Sequence, residues 1–374
     1  MTRPLSIFLD FLRFTAALLV FFHHAAFRQF GTHLPRNFAG TGTEPVMVFF
    51  VLSGFVIAYT AENKDYDIRV YWVSRLARLL SVSLAAIVLT MVFDFIGNRL
   101  DPIFYTQHSA DAFWLKNLAT PEWFRVVTTA TFTNEIWWLD LWPGTNGPFW
   151  SLGYEVAYYL IFSIAFYLRG TGRMVLLAAS VLLIGPKILL LLPVWLLGVL
   201  AWKIVKSGRL SAAGGAVIVT LALPTYALFI WAQIPQVLAQ RFVDAVGTDR
   251  FGHAAACIGD VVTGILVTAC IIGFVGMQSW FAKPLQYYAK PIRLLASMTF
   301  SLYLLHYPLI YFLAAVWRSQ GLAFASSVLV LGGTLTIVFL VSRVTEVKKD
   351  AWRPILSRFI GSSAAGLSEF PASS

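Results

Sequence analysis

Apolar residues run along this chain in blocks of about the twenty positions that a bilayer-spanning helix needs, separated by short polar stretches. Ten such blocks are legible, at 8–27, 44–60, 79–96, 149–168, 174–185, 188–203, 212–234, 257–276, 296–317 and 324–343. The fifth and sixth are short and flank Pro186-Lys187, so they read either as two spans or as one broken, re-entrant pair. The pattern predicts an all-α polytopic membrane bundle of about ten transmembrane helices. An even number places both termini on one side.

Composition and charge sharpen that reading. The 374 residues are 58% hydrophobic and only 12% charged, too apolar for a soluble domain. With a cytoplasmic N-terminus, eighteen Lys and Arg fall on the inner side and nine on the outer, with Arg13 inside the first block. This bias follows the positive-inside rule and predicts that both ends face the cytoplasm. The net charge of +10 is then a matter of topology and anionic lipid, not of nucleic-acid binding. The first block carries Asp10, Arg13 and His23-His24, a poor context for signal cleavage. Cys257 and Cys270 lie about 19.5 Å apart along one helix, out of disulfide reach, and no Cys/His spacing suits a metal. Residues 1–347 read as the membrane domain. The tail 348–374, ending GSSAAGLSEFPASS, reads as lacking fixed structure.

Polar residues inside the apolar blocks are the candidate chemistry, because an ionisable side chain in a bilayer costs at least about 2.5 kcal/mol. Arg13 and His24 are eleven positions apart, about 16.5 Å and close to three whole turns, so they share one helix face. Either they form a functional track, or Arg13 snorkels and His24 satisfies a packing neighbour. Ser53-Gly54 in the second block permits close helix approach, or leaves room for a ligand beside the His24 helix. Arg75 and Arg78 share a face at the start of the third block, either as anchors at the inner surface or as paired guanidinium forks for phosphate. Pro148 opens the fourth block, where Ser151, Glu155 and either Tyr158 or Tyr159 share a face. Glu155 lies about 9 Å down from the outer end, at a depth similar to His24, which makes the imidazole one candidate partner. The ninth block carries Tyr303 and His306, then Pro308, whose kink frees a carbonyl that must be satisfied locally. Between Gly97 and Pro148, Trp114, Trp123, Trp137, Trp138 and Trp142 read as interfacial anchors or as a stacking platform for an acceptor.

Together these segments resemble the acyltransferase-3 family of multispanning bacterial membrane acyltransferases. The resemblance rests on Arg13-x10-His24, FFVLSGF at 49–55, Arg75-x-x-Arg78, WSLGYE at 150–155 and SLYLLHYPL at 301–309, and covers nearly the whole chain. It implies about ten spans in the inner or plasma membrane. It also implies transfer of an acyl group, commonly acetyl, from cytoplasmic acyl-CoA to a hydroxyl of an outward-facing carbohydrate or glycolipid. His24 is then catalytic, Arg13 is its essential partner, and Arg75 and Arg78 assist the donor. Two departures matter. Glu155-Val156 stands where many members carry two carboxylates, and Pro45-Val46-Met47 where many have Gly-Val-Asp. The single-carboxylate form is similar to members that modify exopolysaccharide or lipid-linked glycans.

The expected arrangement has the coenzyme A head near Arg75 and Arg78, its arm rising past Arg13 and Ser53, and the thioester near His24. Trp150, Ser151, Tyr154, Tyr303 and His306 are expected to line the substrate cavity. Glu155 is expected to hold the His24 tautomer while His24 acts as general base, or alternatively as an acyl-carrying nucleophile. A rival from another class is a transporter or flippase using the buried Arg, His and Glu, though no inverted repeat supports it.

Overall fold

The computed structural model describes residues 1–35, 44–107, 117, 119–208, 210–248, 250–319 and 326–361. A helix occupies every expected block: α1 Arg3–Ala25, α2 Glu44–Asn63, α3 Ile68–Leu100, α4 Trp150–Tyr167, α5 Gly170–Ile184, α6 Leu192–Lys206, α7 Ala212–Trp231, α8 Cys257–Tyr287, α9 Thr299–Ser319 and α10 Gly333–Val344. Eight helical segments among the described residues are long and apolar enough to cross a bilayer. The fifteen-residue α5 and α6 are the shorter ones, as their blocks were. Between them Gly185 takes φ +84°, a short helix Pro186–Leu190 follows, and the chain restarts at Leu192.

Helix starts are set by local chemistry. Thr2 caps α1 through the Leu5 amide, Asp67 caps α3 by accepting from Arg69 and Val70, and Ser211 caps α7. The start of α9 is capped from a distance. The Glu346 carboxylate accepts from the Phe300 and Ser301 amides at 3.3 and 2.9 Å, which satisfies donors the helix cannot use itself. Pro308 inside α9 lacks the N–H that would bond the Leu304 carbonyl. Asn146 supplies it, with Nδ2 at 2.8 Å from that oxygen.

The central helix α1 packs on α2, α8 and α9, while α6 lies against α2 and α9 against α3. The α2–α6 crossing is close because both sides carry glycine. A Cβ on Gly54 would stand 2.0 Å from the Trp195 carbonyl oxygen, and one on Gly198 would stand 1.9 Å from that of Val51. These obstacles are backbone, so only the whole helix can yield. Gly54→Ala is therefore expected to lower stability by about 1–3 kcal/mol, read as a fall in the unfolding midpoint in detergent. Gly172→Ala, with nothing near its Cβ, is the control and should leave the midpoint unchanged or raised.

Lys187, between the fifth and sixth blocks, does not face solvent. The break between α5 and α6 folds it inward, fully buried, against the Glu135 carboxylate and the Leu139 carbonyl. Nor does the tail from Lys348 lack structure throughout. Glu346–Trp352 forms a 3-10 helix and Arg353–Ile360 an α-helix, because Trp352, Leu356 and Ile360 repeat every four residues and bury against Val73 and Ala77 of α3. Residues 362–374 lie outside the described residues. Of the tryptophans between Gly97 and Pro148, Trp142 is buried and Trp123, Trp137 and Trp138 are exposed. Trp114 lies outside the described residues.

The ends of the described chain lie at one end of the bundle. Met1 and Thr2 line a cleft with Lys206, which bonds Glu62 at the end of α2. Gly361 accepts from Arg69 at the start of α3, just beyond that same end of α2.

Candidate functional site

Among the polar groups in the interior, two constellations bear on the expected site, and Tyr303 joins them. The first is a small cavity of about 40 Å³ between α1, α2, α3, α4 and α9. Arg13, Ser53, Arg78, Ser151, Glu155, Thr299 and Tyr303 supply its polar wall, and Phe49, Phe50 and Phe300 are among its apolar lining. The volume accommodates a few waters. Arg13 and Arg78 come from different helices yet both feel the charges of Glu155 and Glu346, and Arg13 also pairs with Asp10 of its own helix at 3.8 Å. Lys349, on the segment expected to be unstructured, adds a third cation within reach of Arg13 and Arg78. The Arg13 guanidinium thus turns inward, as does Arg78.

Glu155 is anchored within this cavity. Its Oε1 accepts from the Ser53 hydroxyl at 2.7 Å and from the Tyr159 hydroxyl one helical turn on. Ser53 in turn accepts from the Trp195 indole N–H at 3.2 Å. The carboxylate does not bond His24. Nor does it lie at the depth of His24: Ser151, one turn outward of Glu155, is level with Tyr303, itself one turn below His306. Glu155 therefore stands beside Arg13 and Arg78, and the 151/155/159 face of α4 is turned toward α2 and the cavity. Ser151 meets the Tyr303 hydroxyl at 2.8 Å. Trp150 and Tyr154 belong to the adjacent stripe of the same helix. Trp150 stacks on His253, with centroids 4.2 Å apart, and Tyr154 packs edge-on against Trp150 with no exposed surface. Neither lines the cavity.

The Arg75/Arg78 pair is split. Arg78 reaches the cavity, but Arg75 is buried and bound to the Asp65 carboxylate at 2.8 Å, with Thr60 and Ser74 hydroxyls also accepting from Nη2. Three residues advance a helix by about 300°, so the two side chains point roughly 60° apart. That suffices to send one to the α2–α3 loop and the other inward.

The second constellation lies farther along α1 and α9. His306, fully buried, places Nε2 at 2.9 Å from Nδ1 of His24. His306 Nδ1 lies 2.9 Å from the Leu302 carbonyl, and His24 Nδ1 lies 3.1 Å from that of Val20. Tyr307 packs on the His24 ring at 4.5 Å and His23 on its edge at 4.9 Å. Tyr303 is one turn below His306, so its side chain lines the cavity and its ring lies 6.3 Å from that of His306.

Sequence reasoning missed Tyr159 as the settled member of its pair, and Trp195, Asn146, Glu346 and Lys349 altogether. Signals existed for three of them. The freed Leu304 carbonyl demanded a donor, and the amide of Asn146 stood at the head of the fourth block. For Glu346 and Lys349 the helical stripe Trp352, Leu356, Ile360 was the available sign that the segment folds back.

Comparison with known proteins bears on this arrangement. Residues 6–343 match the family model described as an acyltransferase domain, the third such family. Acyltransferase MdmB of Streptomyces mycarofaciens is 31% identical over 159 residues, which is 41% of this chain and 37% of that relative. The aligned part is thus little more than a third of the relative's length. No solved structure matches the chain. The family match runs through all ten helices and includes Arg13, His24, Arg78, Glu155 and His306, and on that extent the chain belongs to the acyltransferase-3 family of multi-pass membrane proteins.

Proposed function

We propose that this protein is a membrane O-acyltransferase. It moves an acyl group, acetyl in the simplest case, from cytoplasmic acyl-CoA to a hydroxyl of an outward-facing carbohydrate or glycolipid. The observation that carries the reading is the polar track through an apolar bundle, from Arg78 and Arg13 past Glu155 and Tyr303 to the His24–His306 pair. A donor whose anionic head stays at one leaflet while its thioester reaches deep into the membrane needs such a track. Arg78, Arg13 and Lys349 hold the phosphates, and Arg75 braces the α2–α3 loop beside them. His24 takes the proton of the acceptor hydroxyl as its oxygen attacks the thioester carbonyl. The carbon–sulfur bond breaks, and the proton passes from His24 to the departing thiolate. Such general-base help is worth about 10²–10⁴-fold.

The test is transfer of label from [1-¹⁴C]acetyl-CoA in membranes that contain the full chain, followed into glycan, lipid and small-molecule fractions. Label should appear in one fraction above the level of membranes lacking the protein. No transfer, together with thermal stabilisation by free sugars and none by acetyl-CoA, would instead favour a transporter.

A further inference from the structure

The neighbours of the two imidazoles assign their hydrogens. A carbonyl oxygen only accepts, so His306 Nδ1, at 2.9 Å from the Leu302 oxygen, carries the proton. The Nε2 atom of neutral His306 then presents a lone pair. It faces His24 Nδ1 at 2.9 Å, and the other neighbour of that same atom is the Val20 oxygen at 3.1 Å. Both neighbours of His24 Nδ1 are acceptors, so the proton of neutral His24 sits on Nδ1. Its Nε2 is left with the free lone pair. The opposite tautomer would set three lone pairs against one another at hydrogen-bond distance.

We propose that His306 is a positioning residue for acyl transfer: by accepting the Nδ1 proton of His24 it keeps the Nε2 lone pair of His24 free for the acceptor hydroxyl. The proposal rests on His24 acting as base, as put forward above. In each turnover the hydroxyl proton goes to His24 Nε2 and the new carbon–oxygen bond forms at the thioester carbonyl. The carbon–sulfur bond then breaks and Nε2 returns the proton to sulfur. The Nδ1 proton stays in the bond to His306 throughout, and the neutral imidazole takes the orienting place that a carboxylate holds in a Ser–His–Asp triad.

His306 itself is held still. Its Nδ1 is tied one turn back to Leu302, and it is fully buried with the Phe21 ring edge-on at 6.4 Å. Two residues on, Pro308 leaves the Leu304 oxygen without a helix donor, and Asn146 takes that oxygen.

The test compares His306→Leu with His306→Gln, whose side-chain oxygen can still accept from His24 Nδ1, in the acetyl-CoA label-transfer assay in membranes. His306→Leu should lower the rate at saturating acetyl-CoA about a hundredfold, with the donor KM within about threefold of wild type. His306→Gln should recover at least about tenfold of that loss. Two outcomes would overturn the proposal: His306→Leu retaining most of its rate, or folded His306→Gln no better than folded His306→Leu. Should a variant not fold, ¹⁵N-histidine spectra of the unmodified protein decide. His24, assigned by its disappearance in His24→Ala, must show a proton-bearing Nδ1 and a bare Nε2, and the reverse refutes the proposal. His24→Ala that retains turnover would overturn the base assignment itself; His306→Leu that retains turnover beside an inactive His24→Ala removes only the positioning role.

Discussion

His24→Ala should reduce acyl transfer by at least about 10²–10⁴-fold, down to the background that binding and orientation alone supply. The expected loss is in kcat. Arg13, the nearest cation of the donor track, is eleven residues away along α1, about 16.5 Å, so removing the imidazole leaves the phosphate-facing groups in place. Thermal stabilisation by acetyl-CoA should therefore survive in the variant. The fold should survive too. The substitution leaves the His306 Nε2 lone pair without its donor, a penalty of about 1–3 kcal/mol for one buried acceptor. Turnover within tenfold of wild type would remove His24 from the chemistry. Loss of both turnover and donor stabilisation would mean that α1 had been disturbed along its length.

The helices were legible in the sequence because a bilayer leaves the backbone no alternative: every N–H and C=O in the apolar zone must be satisfied within its own segment. Block length then marks the helix, which is why even the awkward pair around Pro186 came out as two short helices with a break. Spacing along a single helix was legible for the same reason, since rise per residue is constant, but depth compared between helices was not: Glu155 stands level with Arg13 and not with His24. Nor was rotation about each helix axis. The spacing puts Ser151, Glu155 and either Tyr158 or Tyr159 on one face, yet which neighbour that face meets depends on how α4 packs. The close glycine crossing of α2 and α6 sets part of that packing by bringing Trp195 up to Ser53. Glu155 therefore bonds Ser53, while His306, a residue with an equally good claim to be core, takes the place beside His24. Arg75 shows the same limit. Its spacing from Arg78 suggested a paired site, and only the fold reveals that Asp65 claims it.

That split of the arginines makes the second large prediction. Arg75→Ala should act on stability and Arg78→Ala on the donor. Arg75 and Asp65 are each only 6% exposed, and removal of one partner strands the other charge, an effect of about 3–5 kcal/mol for a buried pair. The Tyr167 hydroxyl donates to the Asp65 carbonyl at 2.6 Å, so the α2–α3 loop would loosen from α4 as well. The unfolding midpoint of Arg75→Ala should fall steeply, and Arg75→Ala combined with Asp65→Asn should regain part of the loss because no unpaired charge remains. Arg78 has no such partner at bonding distance among the described residues. It shares a cavity with Arg13 and Glu155 and feels the charge of Glu346. Arg78→Ala should keep its midpoint and raise the KM for acetyl-CoA about tenfold or more, the worth of one charge-assisted phosphate contact of 1.5–3 kcal/mol. If instead the two variants shift donor KM equally at unchanged stability, both guanidinium groups reach the donor and the Asp65 pair is not what holds Arg75.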